Sequence, residues 1–321
     1  MGQFILTGSA TPRDNLTSHS GTGRIARMIM RPMSLFESQE SNGSVSLKEL
    51  FDGKTEIAAK SNLTIEQIAH ALCRGGWPAA VTSGKQSSRI AMNYVDAIIN
   101  FDVQHVDGVE KDPERVRILF QSLARNISTM ATSKTIMEDM QVKQASITDK
   151  TLNTYLNALR RLFVIEDIPA WQPSLRSKTA IRTANKRQFV DPSIATAALR
   201  TNEKGILRDF ETFGFLFESL CTRDLRVYSQ VIDSGIFHYR DKSELECDLI
   251  IKLNDGRWAP VEVKMGNIQI EKAAANLIKL SKKVDAEKMN QPSFLMLLTA
   301  GQVAYRRTDG VLVVPIGCLK D

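Results

Sequence analysis

The chain has 321 residues and a formal net charge of +6, with 43% hydrophobic and 24% charged residues. This is the composition of an ordinary soluble protein, long enough for about two or three domains. No run approaches the roughly 18 apolar residues of a membrane span, and the first residues lack the basic region of a signal peptide, so we expect a cytoplasmic protein with no membrane partner. The cysteines and histidines show no metal-binding spacing.

The first apolar segment, residues 3–9, predicts a strand buried on both faces, as in a parallel sheet. It is followed by Gly-Arg-Ile-Ala-Arg-Met at 23–28 and Arg-Pro-Met-Ser-Leu-Phe-Glu at 31–37. Together these segments resemble the part of AAA-type ATPases that starts at the polar sensor strand, in prokaryotic ATP-binding proteins that continue into a nuclease-like domain of unknown function. The resemblance implies that Thr7, Ser9 and Arg24 are the remnant of a nucleotide-sensing site. The alternative is an ordinary buried strand, with Arg24 facing solvent.

No G-x-x-x-x-G-K-[ST] motif is present, and the nearest candidate, Ser83-Gly84-Lys85-Gln86, lacks the upstream glycine and the hydroxyl that would hold Mg²⁺. The resemblance therefore implies that residues 1–110 are the C-terminal remnant of an AAA-type ATPase domain with its helical lid, through truncation or a misplaced start. We expect no ATP hydrolysis by this chain alone. ATP would be a cofactor of a complete family member, or of an assembly in which another protein chain supplies the missing ATPase half.

Within this remnant, the pattern from residue 38 to residue 110 is mainly helical. The polar residues 38–62 predict a surface loop interrupted by a short helix near Leu47–Phe51. Thr64 is a candidate cap for a helix over Thr64–Cys73, which Gly75-Gly76-Trp77-Pro78 ends, and a second amphipathic helix covers Arg89–Asn100. Trp77 is expected to pack rather than to bind a ligand.

Residues 111–200 have the pattern of a winged helix. Helices are predicted over Pro113–Ser128, near Lys134–Met140 and after the cap Thr148, and strand-like segments follow at Phe163–Ile168 and Gln188–Val190. The loop between the two strands is the expected wing. Its basic residues, without an acid among them, are Arg176, Lys178, Arg182, Lys186 and Arg187. Such a run predicts contact with the phosphates of DNA, although a solvated basic loop that only braces the neighbouring domains remains the alternative.

Residues 201–321 predict the order helix, three strands, helix, strand. The predicted elements are a helix over Leu207–Tyr228, a strand at Ile236–Tyr239, a hairpin at 246–264, a helix over Ile270–Met289, a strand at Ser293–Thr299, and a closing pair of strands within Val303–Leu319. In the hairpin, Glu246, Asp248 and Ile250 alternate with Cys247, Leu249 and Ile251. We expect Asn254-Asp255-Gly256 to form a three-residue loop with a left-handed glycine, a register that pairs Asp248 with Glu262 and Glu246 with Lys264.

Asp248 followed by Glu262-x-Lys264 in this order of elements resembles the PD-(D/E)XK restriction-endonuclease-like fold. The resemblance implies an α/β protein of α+β multidomain type, whose C-terminal αβββαβ domain holds Mg²⁺ through Glu218, Asp248 and Glu262. Lys264 would orient the attacking water or stabilise charge on a phosphate, with Glu246 as a supporting acid. Cys247 stands where many active members carry proline. That departure keeps open a non-catalytic module that binds nucleic acid or protein and in which the charge pairs are structural.

Overall fold

The computed structural model describes residues 28–83, 87–173, 184–284 and 289–321, together with the isolated residues 5, 7, 8 and 26. The first elements are β1 (Val45–Ser46), α1 (Leu47–Phe51), β2 (Ala58–Lys60), α2 (Ile65–Arg74), α3 (Pro78–Thr82), α4 (Ser87–Ala97), a π-helical stretch (Ile98–Asp102) and α5 (Val103–His105). They are followed by α6 (Pro113–Arg125), α7 (Ser133–Val142), α8 (Asp149–Arg161), α9 (Pro192–Ala198) and α10 (Glu203–Ile206).

The C-terminal elements are α11 (Phe210–Val231), β3 (Ser234–Arg240), β4 (Glu246–Leu253), β5 (Trp258–Lys264), α12 (Ile270–Lys283), β6 (Met296–Thr299), β7 (Val303–Arg306), β8 (Leu312–Pro315) and β9 (Leu319–Lys320). From α11 to β6 this is the predicted αβββαβ order, and the expected closing pair is present as β7 and β8. The mixed α+β class is therefore confirmed. Asp209 starts α11 three residues later than predicted, because its side chain accepts a hydrogen bond from the backbone N–H of Thr212.

A seven-stranded sheet in the order β2-β7-β8-β6-β5-β4-β3 forms the centre of the molecule. The pairs β5-β6 and β6-β8 are parallel and the others antiparallel. Helix α11 packs against the face that carries Leu249, Ile251 and Val261. Helix α12 covers the opposite face, with Ile250 and Trp258. The sheet is thus buried between two helical layers, and both faces of its central strands are apolar.

The prediction of a surface loop over residues 38–62 is wrong in part, since this segment contributes two strands. β1 pairs in parallel with β9, with Val45 opposite Leu319, and β2 forms the edge of the main sheet next to β7. The short helix α1 lies where it was predicted, because Ser46 caps it by accepting a hydrogen bond from the N–H of Glu49. The segment is polar because these strands are short and lie at edges.

The helices before residue 200 follow the predicted pattern. Thr64 and Gln67 form a capping box at the start of α2, and Gly75 ends that helix with a φ of 74°. Trp77 packs against the ring of Tyr94 at 4.4 Å between centroids, in keeping with a packing role.

Helices α6, α7 and α8 correspond to the three predicted winged-helix helices, and Thr148 caps the third through the N–H of Thr151. Antiparallel bridges join Ile165 to Phe189 and Ile168 to Lys186, as expected of the strands that flank a wing. Most of the predicted wing, residues 174–183, lies outside the described residues.

A buried cluster of charges connects three parts of the chain. Arg223 on α11 donates to Asp191 at 3.0 Å and to Asp224 at 2.7 Å, and all three side chains are at most 1% exposed. The other oxygen of Asp224 accepts the backbone N–H of Leu35 at 3.0 Å, and Asp191 accepts that of Gly76 at 2.9 Å. The segments around residues 35 and 76 are therefore tied to the helix that lies under the sheet.

Of the predicted N-terminal strand, the structure describes Ile5, Thr7 and Gly8, and all three are exposed and outside regular structure. The expectation of a buried strand is wrong for these residues, because Ile5, the large apolar side chain among them, is 91% exposed. Ser9 and Arg24 lie outside the described residues. No helix in the described part of the chain is long and apolar enough to cross a membrane.

Candidate active site

The β4–β5 hairpin has the predicted register. Leu253 donates its N–H to the carbonyl of Arg257 at 2.9 Å, and Gly256 has a φ of 92°, which closes a three-residue loop with a left-handed glycine. Paired residues run from Lys252 opposite Trp258 to Leu249 opposite Val261. One step further in this register, Asp248 comes opposite Glu262.

A bulge in β4 changes the direction of Asp248. Against β3, Phe237 lies opposite Ile250 but Tyr239 lies opposite Cys247, so β4 contains one extra residue. Cys247 consequently packs in the cluster of Ile250 and Trp258. The predicted alternation, which put Cys247 on the face of Leu249, is wrong at this point.

The bulge also interrupts the hydrogen-bond ladder between the two strands. An uninterrupted antiparallel ladder would give the N–H of Val263 to the carbonyl of Cys247. Instead, Val263 N–H donates to Asp248 Oδ2 at 2.9 Å. The carboxylate is thereby fixed at the end of the paired region.

Lys264 lies between two acids of the hairpin, Asp248 and Glu262. Its Nζ is 3.0 Å from Asp248 Oδ2 and 2.7 Å from Glu262 Oε2. Asn276 on α12 donates to Glu262 Oε1 at 2.9 Å and to the carbonyl of Glu246 at 2.7 Å. Both oxygens of Glu262 are therefore occupied by donors that come from different elements.

The third predicted acid, Glu218 on α11, is connected to Asp248 by a second lysine, Lys186. Lys186 Nζ lies 2.7 Å from Glu218 Oε1, 3.1 Å from the carbonyl of Asp248 and 3.8 Å from Asp248 Oδ1. The backbone of Lys186 is held by two hydrogen bonds to Ile168. The result is a row of alternating charges, which we call the acid–lysine row: Glu218, Lys186, Asp248, Lys264 and Glu262.

Burial and the neighbouring charges shift the pKa values in this row. Burial, and then the charge of Asp248, raises the pKa of Glu218 to about 7, although Lys186 opposes the shift. Burial and Asp248 also raise the pKa of Glu262. For Asp248, Lys186 and Lys264 outweigh the effect of burial, so that its pKa is lowered. Burial lowers the pKa of Lys264, but the two adjacent acids outweigh it and the pKa is raised. Asp248 is thus the acid that is held ionised.

The carboxylate oxygens of the row are of the kind that Mg²⁺ prefers. Within the described residues, however, no three His, Cys, Asp or Glu side chains are grouped so that they could hold one ion. In the acid–lysine row an ammonium group stands between each acid and the next. A divalent ion could reach two of these acids at once only by displacing the ammonium group that lies between them.

Glu246 is not part of the row. It pairs with Arg240 at 2.9 Å, and both side chains are about half exposed. The predicted pair of Glu246 with Lys264 is wrong, because the bulge turns Glu246 away while Lys264 is held by the two other acids.

The predicted nucleic-acid residues are described only in part. Arg176, Lys178 and Arg182 lie outside the described residues. Lys186 and Arg187 have side chains no more than 10% exposed, and Arg187 donates to Asp167 at 2.9 Å and to the carbonyl of Ala131. Neither side chain is placed where a phosphate could reach it, so their assignment to the DNA contact is corrected. The sequence predicts an exposed basic run here because the acids that pair with these two residues, Glu218 and Asp167, are distant in the chain.

Comparison with known proteins finds two domains, both of unknown function. Residues 65–205 match a family model described as Domain of unknown function (DUF8612), and residues 213–319 match one described as Domain of unknown function (DUF4143). No curated protein and no solved structure matches the chain significantly. The first match runs across the predicted boundary at residue 110 and contains Lys186, and the second contains the other four members of the acid–lysine row.

Proposed function

We propose that the chain is related to DNA-associated AAA-family ATP-binding proteins and that its C-terminal αβββαβ domain is a Mg²⁺-dependent nuclease-like domain. The observation that carries the proposal is that Glu218, Asp248, Glu262 and Lys264, which come from a helix and two strands, converge in one row. The matched DUF4143 domain is commonly associated with AAA-like ATPases, which supports the relation to AAA-family proteins but does not bear on the nuclease.

In this proposal Asp248 and Glu262 would hold the ion, whose chemistry would be to polarise a phosphodiester and to activate water. Lys264 keeps its proton at neutral pH, because the two acids raise its pKa, and donates to the phosphate as negative charge develops there. Asn276 fixes the orientation of Glu262 by its hydrogen bond to Oε1. Glu218 is the third acid and becomes available when Lys186 moves.

The experiment is a cleavage assay on branched, double-stranded and single-stranded DNA with Mg²⁺ or Mn²⁺. The native chain is compared with Lys264→Ala and with the control Lys252→Ala, a lysine of the same hairpin outside the row. Metal-dependent cleavage that is lost in Lys264→Ala and kept in Lys252→Ala would support the proposal. Folded protein that neither cleaves DNA nor binds metal would refute it.

The burial of Lys186 favours a second candidate, in which the nuclease-like fold is inactive and serves as a binding module. The row contains three acids and two lysines, so its charges are nearly balanced without an ion. A buried ion network of this kind can position elements relative to each other, because each member would be left unpaired if its partner moved. Under this candidate, removing Lys264 affects stability but no cleavage is found in any variant.

A further inference from the structure

The exposed face of α12 next to the acid–lysine row carries two lysines, Lys272 and Lys279, which we call the α12 lysine pair. Residues three and four apart on a helix are neighbours on its surface. Lys272 lies four residues before Asn276 and Lys279 three residues after it. Since Asn276 contacts Glu262 and the carbonyl of Glu246, the lysine pair flanks the point at which α12 touches the row.

Both lysines are exposed, and within the described residues neither has an ion-pair partner. The acid nearest to them in the helix, Glu271, is held by Arg307 at 2.7 Å, an interaction with the loop after β7. Lys283, one turn after Lys279, is bound to Asp241 in the β3–β4 turn. This contact fixes the end of α12 against the strand that leads to Asp248. The α12 lysine pair therefore places two unpaired positive charges beside the row.

The spacing of the pair suits a phosphate backbone. Seven residues rise about 10.5 Å along a helix, a distance over which one strand of a duplex presents about three phosphates. Lysine binds a phosphate as a point charge, so two lysines at this spacing can bind the same strand without reading its sequence.

We propose that the α12 lysine pair binds the phosphodiester backbone of a nucleic acid and holds it across the acid–lysine row. This inference rests on the proposed function, for which it names the surface that binds the substrate. In this proposal the α12 lysine pair, and not the buried Lys186 and Arg187, contacts the phosphates. The pair acts in binding, independently of any metal.

The test measures binding of a fluorescent DNA duplex by anisotropy, with EDTA present and over a range of salt concentrations. The full chain is compared with Lys272→Gln/Lys279→Gln and with the control Lys48→Gln/Lys204→Gln, which removes two exposed lysines without ion-pair partners elsewhere in the described chain. Each lost phosphate contact lowers the slope of log K against log salt by about 0.9. We therefore expect the slope to fall by about 2 in the α12 variant and to stay unchanged in the control.

Equal binding by the two double variants would overturn the proposal, as would a native chain that binds no duplex. Binding that depends on the lysine pair in a protein that cleaves no DNA with Mn²⁺ would support the surface and refute the nuclease. Failure of the lysine-pair proposal and failure of the nuclease proposal are thus distinguished, because the binding assay contains no metal.

Discussion

Lys186 Nζ lies 2.7 Å from Glu218 Oε1, which places an ammonium group from the end of the predicted wing against an acid of the C-terminal αβββαβ domain. Lys186 and Glu218 belong to the two different domains that the family models match. Lys186 also contacts Asp248. Its side chain therefore connects the first matched domain both to α11, through Glu218, and to the β4–β5 hairpin. A divalent ion at Glu218 and Asp248 would compete with this ammonium group.

We predict that Lys186→Met makes the protein less stable but more responsive to metal. Loss of the lysine leaves Glu218 without a cation in a buried site and leaves Asp248 with Lys264 alone, which costs about 3–5 kcal/mol of unfolding free energy. A ligand that binds only the folded state stabilises it. Mn²⁺ should therefore raise the melting temperature of the variant more than that of the native chain.

The matched control for this experiment is Lys111→Met. Lys111 is a fully buried lysine that pairs with Asp107, far from the row in sequence. Its removal should lower the melting temperature without a response to Mn²⁺. A Mn²⁺ response of Lys186→Met no larger than that of the native chain would show that the ammonium group and the ion do not compete.

We predict a large loss of stability for Arg223→Met. Arg223 is the only cation in the described contacts of the buried acids Asp191 and Asp224, so its removal leaves two buried carboxylates facing each other. The expected cost is about 3–5 kcal/mol, measured by urea unfolding. Arg240→Met, which breaks the exposed pair with Glu246, should cost at most about 1 kcal/mol. Equal costs for the two variants would contradict this account of the buried cluster.

His238 should make stability depend on pH. Burial, and then the charge of Lys186, lowers the pKa of His238 from 6.5 to about 4, although the carbonyl of Ala184 opposes the shift. Because the folded state prefers the neutral ring, this contribution is complete above pH 6.5 and is lost as the pH falls towards 4. At about 1.4 kcal/mol for each pKa unit, it amounts to about 3 kcal/mol.

His238→Gln, which keeps an N–H donor for Ala184, removes this titration. The unfolding free energy of the native chain should therefore fall more steeply than that of His238→Gln between pH 6.5 and pH 4. Parallel curves over this range, measured by urea unfolding, would mean that His238 does not titrate as described.

Gly76→Ala should destabilise the turn after α2. A Cβ at residue 76 would lie 2.1 Å from the carbonyl oxygen of Met33, a backbone atom that cannot move aside alone. We expect a cost of about 1–3 kcal/mol. The control is Gly214→Ala in α11, where a Cβ meets nothing within 4 Å and should stabilise the helix by about 0.5–1 kcal/mol. The opposite signs are measured by thermal unfolding of the two variants.

Local patterns were sufficient to predict α11, the three antiparallel strands, α12 and the register of the hairpin. The register follows from the turn, because Asn254-Asp255-Gly256 selects one pairing of the two strands. The bulge at Asp248 has no such local signal, since it depends on how β4 meets β3. The position of Cys247 and the partner of Glu246 were therefore predicted incorrectly.

Asp248, Glu262 and Lys264 lie in the row because their spacing reflects the two strands that carry them, and Glu218 joins them from α11. Lys186 could not be identified as a member, since a lysine in a basic run shows no sign in sequence of a buried partner 32 residues away. Asn276 was missed for a similar reason. Its place in the helix that follows the strand of Glu262 is a weak sequence signal for this contact. The pairing of β1 and β2 with the last strands is also invisible to local reasoning, because each strand is at most three residues long.

The edge strand β2 has a consequence for the synthesis of the protein. Its partner β7 lies roughly 240 residues later in the chain. At about 5–20 residues per second, the ribosome needs about 12–50 s to make the intervening sequence. During that time β2 lacks its final hydrogen-bond partner, so the sheet can be completed only after β7 has been made.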